Sequence, residues 1–95
     1  MVVGGKIIVM NELKDNNEIL SVVSVIIKNV TGNPDLKINL THTADDIKNW
    51  DSLRHVMIIN EIENHFAIQF DLMEMLGISS VGDLCKAISK KLTKA

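Results

Sequence analysis

Apolar residues recur at three- and four-residue spacing in four stretches of the chain, and each stretch ends at a recognisable break. The spacing predicts a first helix from about Asn17 to Val30, with Ile19, Val22, Val23, Ile26, Ile27 and Val30 as its apolar stripe. Gly32 and Pro34 stop it. A mostly polar connection then runs from Asn33 to Trp50, with Leu36, Ile38, Leu40 and Ile47 as the expected anchors to the core. Connections of this length without regular structure are uncommon in small domains and often carry function.

A second helix is predicted over Ser52 to about Phe66, with Asp51 as N-cap and Leu53, Val56, Ile59, Ile62 and Phe66 facing inward. A short third helix spans Asp71 to Leu76 and closes at Gly77. The fourth opens on the capping-box pattern Ser80-Val81-Gly82-Asp83 and turns Val81, Leu84, Cys85, Ile88 and Leu92 inward. Strand-like alternation is confined to the ambiguous segment Lys6–Met10. The expected fold is all-α: a small four-helix bundle, three longer helices plus a short third helix, with a long loop between helices 1 and 2. Residues 15–95 form the bundle; residues 1–14 form an N-terminal extension or flexible tail, within which Met10 is an alternative start.

Composition narrows the function classes. Of the 95 residues 46% are hydrophobic but only 3% aromatic, so the core must be built from aliphatic side chains rather than rings. Lys and Arg number 10 against 12 Asp and Glu, a net charge of −2, which argues against a dedicated nucleic-acid binder. One cysteine, Cys85, excludes an internal disulfide and a Cys-based zinc cluster, making a reduced cytoplasmic setting the default. No signal-peptide pattern opens the chain, and the longest apolar run, Val22–Ile27 broken by Ser24, falls far short of the ~20 residues of a membrane span. Lysines gather near the end of the fourth helix, where they complement its dipole.

Catalytic signatures are absent. His42, His55 and His65 are scattered; Glu61 and His65 are four apart on one helix, but two ligands make no stable metal site and suit an exposed polar face better. Gly4-Gly5 is followed by no strand–helix unit and is no phosphate loop. No base or oxyanion hole can be assigned to any serine, so no metal site and no catalytic residue is expected.

One segment is specific: Ile47-Lys48-Asn49-Trp50-Asp51-Ser52-Leu53. With the second helix, the short third helix and Ile78-Ser79-Ser80-Val81-Gly82-Asp83-Leu84, it resembles the acyl carrier proteins and the related peptidyl carrier domains. The resemblance covers roughly Asn17 to Leu92, and Trp50-Asp51-Ser52-Leu53 looks like the variant of specialised carriers outside primary fatty-acid synthesis. It implies that Ser52 carries 4′-phosphopantetheine within an attachment motif formed with Trp50, Asp51 and Leu53. It also implies that the protein is no enzyme. As a monomeric carrier it would hold acyl groups as thioesters and meet a phosphopantetheinyl transferase, an acyl- or aminoacyl-activating ligase and a downstream synthase or transferase. An aminoacyl or peptidyl carrier and an unmodified helical interaction module stay open as alternatives.

Two departures from the family pattern stand out. Asn49 replaces a glycine common two residues before the aspartate, and asparagine is the residue next most tolerant of a left-handed backbone. Arg54 and Met57 replace part of the acidic second helix of fatty-acid carriers. The outer face that would recognise partners comprises Arg54, Met57, Glu61, Glu63 and Asn64. A serine in the first turn of a helix is also exposed to a modifying enzyme, and a phosphodiester on it would sit at the positive end of the helix dipole.

Overall fold

A helix beginning near Asn17 buries its stripe only if other helices cover it, and in the computed structural model, which describes residues 16–93, two of them do. The described order is α1 (Asn16–Thr31), a 3-10 turn (Ala44–Asp46), α2 (Ser52–Phe66), α3 (Leu72–Gly77) and α4 (Val81–Thr93). The extension expected over residues 1–14, with the segment Lys6–Met10, lies outside the described residues. α1 packs against both α2 and α4. Ile19, Val23, Ile26 and Ile27 are buried there, while Val22 and Val30 are half-buried. Among the described residues no strand forms, only an isolated antiparallel bridge between Thr43 and Ser80, and no helix is long and apolar enough to cross a membrane.

Gly32 ends α1 because it turns left-handed at φ 73°, a conformation open to glycine at little cost. The Asn33 N–H then donates back to the Lys28 carbonyl at 3.0 Å, a Schellman closure. Thr31, buried at the last turn, donates its hydroxyl to the Ile27 carbonyl at 2.7 Å, so no polar atom is stranded.

The inward stripe of α2 differs from the expected one. Ile59, Ile62 and Phe66 are buried, but Leu53 is 66% and Val56 43% exposed, and Ile58 is buried in their place. The reason is geometric. A three-residue step falls about 60° short of a full turn, so the series Leu53, Val56, Ile59 winds around the helix instead of following its axis. The line that stays on one face runs from Phe66 through Ile62 and Ile59 to His55. Leu53 and Val56 therefore flank the start of the helix on its solvent side.

α4 begins as its sequence pattern requires, with one shift. The Ser80 hydroxyl accepts the Asp83 N–H at 3.0 Å, but the Asp83 carboxylate returns to the N–H and hydroxyl of Ser79, not to Ser80. The first N–H groups of α4 meet loop carbonyls: Val81 donates to His42 at 2.8 Å and Gly82 to Leu40 at 2.9 Å. Leu40 thus anchors the long loop through its backbone; its side chain, expected in the core, is exposed. Ile47 is buried, and Leu36 and Ile38 are half-buried, as expected. The loop also holds the 3-10 turn that periodicity does not reveal, closed by the Asp46 carboxylate on the Thr43 N–H at 2.9 Å.

Val81, Leu84, Cys85 and Ile88 are buried along α4, with Leu92 half-buried. Burial pushes the Cys85 thiol up to about 11, so almost no thiolate exists at neutral pH. A small disulfide reagent should therefore modify Cys85 slowly in the native protein and rapidly in denaturant. Equal rates in the two conditions would put the thiol on the surface.

Candidate functional site

The turn entering α2 is fixed from both sides. Upstream, Asn49 occupies the left-handed region at φ 72°, the conformation expected of it, and its amide donates to the Thr31 carbonyl at 3.0 Å. The Asn33 amide reaches across to the Lys48 carbonyl at 2.8 Å and to the Thr31 hydroxyl at 2.9 Å. These bonds tie the turn to the C-terminal end of α1, so both open carbonyls and a buried hydroxyl are satisfied together.

Asp51 then caps α2. One carboxylate oxygen accepts the Arg54 N–H at 2.9 Å, the other the Arg54 guanidinium at 2.9 Å. The backbone N–H of Arg54, then its charge, holds the Asp51 carboxyl below its ordinary 3.8. This cap contributes stability that is present above the ordinary value and lost as pH falls through the lowered one. Asp51 is exposed and Arg54 half-exposed, so the ion pair itself adds little.

Trp50, two residues before Ser52, is only 7% exposed although it ends a polar loop. Its indole N–H donates to Nδ1 of His55 at 3.1 Å, and the two rings lie nearly parallel with centroids 6.0 Å apart. Nε2 of His55 meets the Met75 carbonyl at 3.0 Å. His55, to which the sequence assigned no role beyond its place on the second helix, joins the turn before α2 to α3. Its place in the i, i+4 line with Ile59 was the available signal, masked because the side chain is polar.

Ser52 is exposed at the first position of α2, beside a crevice of about 400 Å³. Trp50, Val56, Met75, Leu76 and Ile78 give that crevice its apolar walls. An anionic ester on the Ser52 oxygen would face the open N–H groups of the first turn of α2, and the apolar crevice lies alongside for a chain attached there. The residues present thus fit a phosphopantetheine group. His55 lines the same crevice, but both its nitrogens are committed elsewhere, so it is no ready base for the hydroxyl.

The other candidate residues are divided. Met57, Glu61 and Asn64 are exposed on α2, while Arg54 is half-buried and paired with Asp51. Glu63 accepts the Phe70 N–H at 2.9 Å and so holds the link between α2 and α3. Leu72, Met73 and Leu76 of α3 are exposed, and Leu76 lines the crevice together with Val56. Glu61 and His65 are both exposed, and no group of three or more His, Cys, Asp or Glu side chains gathers as for a metal among the described residues.

Comparison with known proteins gives the same outline. Over 76% of this chain and 96% of the other, the fold matches a Mycobacterium tuberculosis protein described as an acyl carrier protein, with a TM-score of 0.70 and 22% identity. The solution structure of the holo acyl carrier protein from Geobacter metallireducens matches with a TM-score of 0.72 and 33% identity, over 79% of this chain and 86% of that one. Among curated proteins no match was found. The family described as the phosphopantetheine attachment site matches residues 21–88, a span containing the capped turn, the exposed serine and the crevice beside it. The chain therefore belongs to the phosphopantetheine-attachment family of acyl-carrier-like helical proteins, defined by covalent 4′-phosphopantetheine.

Proposed function

We propose that Ser52 is the attachment residue and that the protein carries acyl groups between the enzymes of a specialised biosynthetic pathway without catalysing a step itself. The observation that carries this reading is the exposed Ser52 hydroxyl at the start of α2, beside an apolar crevice and on a turn fixed at both ends. A phosphopantetheinyl transferase would supply the base that takes the serine proton as Oγ bonds to phosphorus; the phosphoanhydride of coenzyme A breaks and adenosine 3′,5′-bisphosphate leaves. The attached group supplies a terminal thiol on which acyl groups ride as thioesters. Asp51 holds the first turn of α2 in place for this, and Trp50 walls the crevice. Incubating the apo chain with coenzyme A and a broad-specificity transferase, then measuring intact mass, tests the reading; a chain that gains no mass is no carrier.

A cytoplasmic, monomeric protein fits the same reading, supported by the single buried thiol. Partner choice is assigned to the outer face of α2. Met57 lies there with Leu53 and Val56, and Arg54 neutralises Asp51, so the surface near Ser52 is more apolar and less acidic than a fatty-acid carrier's. Partners with a mixed apolar and acidic surface would suit it. Met57→Glu combined with Arg54→Asp should slow the native activating ligase about tenfold, ~1.4 kcal/mol, while improving recognition by fatty-acid synthase enzymes. Unchanged kinetics with both enzyme sets would mean this face does not select partners.

A further inference from the structure

One side chain, His55, touches both the turn that bears Ser52 and α3. Indole Nε1–H can only donate, so Nδ1 of His55 must be the accepting nitrogen of that 3.1 Å bond. In the neutral ring the proton then sits on Nε2, which faces a carbonyl that can only accept, at 3.0 Å. One neutral tautomer satisfies both bonds, and no other protonation state does. An imidazolium would present N–H to N–H at Trp50 while keeping its bond to Met75.

From this geometry we infer that His55 is a positioning residue for the modification of Ser52. Neutral, it latches Trp50 against α3 and so holds the serine-bearing turn in the shape the transferase engages; protonated, it releases Trp50. The inference rests on Ser52 being the attachment residue. Ser52 lies within the short loop that the Trp50–His55 contact closes, and the Asn49 and Asn33 amides pin the other side of the same turn. Without the latch the turn keeps its Asn49 and Asn33 bonds and the Asp51 cap but loses the side-chain bond that joins it to α3. α3 would also lose a tether, while the Lys91–Glu74 ion pair at 3.0 Å, the Glu63 bond to Phe70, the buried Ile78 and the core packing of Met75 remain.

The titratable and charged groups on the elements around the crevice are His42, Asp45, Asp46 and Lys48 on the loop, Asp51 and Arg54 at the start of α2, Asp71 at the N-cap of α3 and Glu74 on α3. His42 accepts the Asn39 N–H on its Nδ1, and any effect of His42 or Asp45 is common to wild type and a variant changed only at His55. Asp46 caps Thr43, Asp51 pairs with Arg54, Asp71 caps its own helix and Glu74 pairs with Lys91. Both nitrogens of His55 face Trp50 and Met75 instead.

The test uses the full apo chain as wild type, His55→Gln and His55→Ala. Glutamine offers one acceptor and one donor and does not titrate. Transferase kinetics with coenzyme A are read by intact mass between about pH 8 and pH 5. Emission from Trp50, the only tryptophan in the chain, is recorded on the same samples. At the upper pH, His55→Ala should raise KM about tenfold, the factor expected if one molecule in ten holds the turn in place, with kcat unchanged. His55→Gln should recover most of that loss. On acidification the wild-type KM, taken relative to that of His55→Gln so that the transferase's own titration cancels, should rise. Trp50 emission should shift with the same midpoint in wild type and stay flat in the glutamine variant. Equal KM values for wild type and His55→Gln at every pH, or the same emission titration in both, overturns the latch. If wild type gains no mass at all, the attachment reading fails instead, and the emission arm still decides whether His55 controls Trp50. Should His55→Ala not fold, the wild-type and glutamine arms carry the decision unaided.

Discussion

Ser52→Ala is expected to fold like wild type and to gain no mass from coenzyme A and a phosphopantetheinyl transferase, against one phosphopantetheine per chain for wild type. The effect is all or none because the oxygen that would bond to phosphorus is removed. Folding should be spared for a reason visible in the structure. Ser52 is exposed and is not the N-cap; Asp51 makes the capping bond to the Arg54 N–H at 2.9 Å, and alanine is at least as good a helix former in the first turn. Far-UV circular dichroism and the melting temperature should therefore match wild type while the mass shift vanishes. Modification of the alanine variant would show that another residue carries the group. Ser79 and Ser80, next in line as hydroxyls at a helix start, are engaged with Asp83, which makes them poor substitutes.

Gly82→Ala should be the most damaging of the small surface substitutions. A Cβ at that position would lie 2.9 Å from the Leu40 carbonyl oxygen, a backbone atom that cannot swing aside as a flexible side chain would. The same carbonyl accepts the Gly82 N–H at 2.9 Å, so relieving the clash stretches the bond that anchors the long loop to α4. Alanine recovers about 1 kcal/mol of helix propensity, but overpacking together with a weakened backbone bond costs more. The net destabilisation should be about 2 kcal/mol, a fall of roughly 10 °C in melting temperature for a chain this small. Gly77→Ala is the matched control, since no atom lies within 4 Å of a Cβ built there; it should change stability little. If the two variants melt together, the close approach of loop and helix is not tight. Because Ala44, four residues beyond Leu40, lines the crevice, the unfastened loop in Gly82→Ala should also slow modification of Ser52.

The helices were legible in the sequence because local chemistry decides them. Periodicity, the glycine after Thr31, the aspartate before Ser52 and the serine–aspartate pair before Leu84 act over one or two turns and need no distant partner. The same holds for Asn49, whose left-handed turn follows from its place before the capped helix. Burial of Cys85 was equally readable, since every member of the α4 stripe is apolar and its neighbours are closely spaced.

Where the chain folds back on itself, local pattern was insufficient. Leu53 and Val56 are apolar at helical spacing, yet α1 covers another face of α2, and only that packing chose which apolar line would be buried. Leu40 has the side chain of a core anchor but works through its carbonyl, because the unpaired N–H groups of α4 lie next to it in space and some forty residues away in sequence. The Trp50–His55–Met75 connection shows the same limit most fully. Each residue taken alone has a bland reading: a loop aromatic, an exposed histidine, a core methionine. Their joint role comes from a donor-only indole and an acceptor-only carbonyl brought to opposite sides of one imidazole, an arrangement created when α3 closes over the start of α2. Hydrogen-bond partners distant in sequence leave no periodic signature, so membership of the phosphopantetheine-attachment family could be read from the residues around Ser52, while the means by which the fold holds that segment could not.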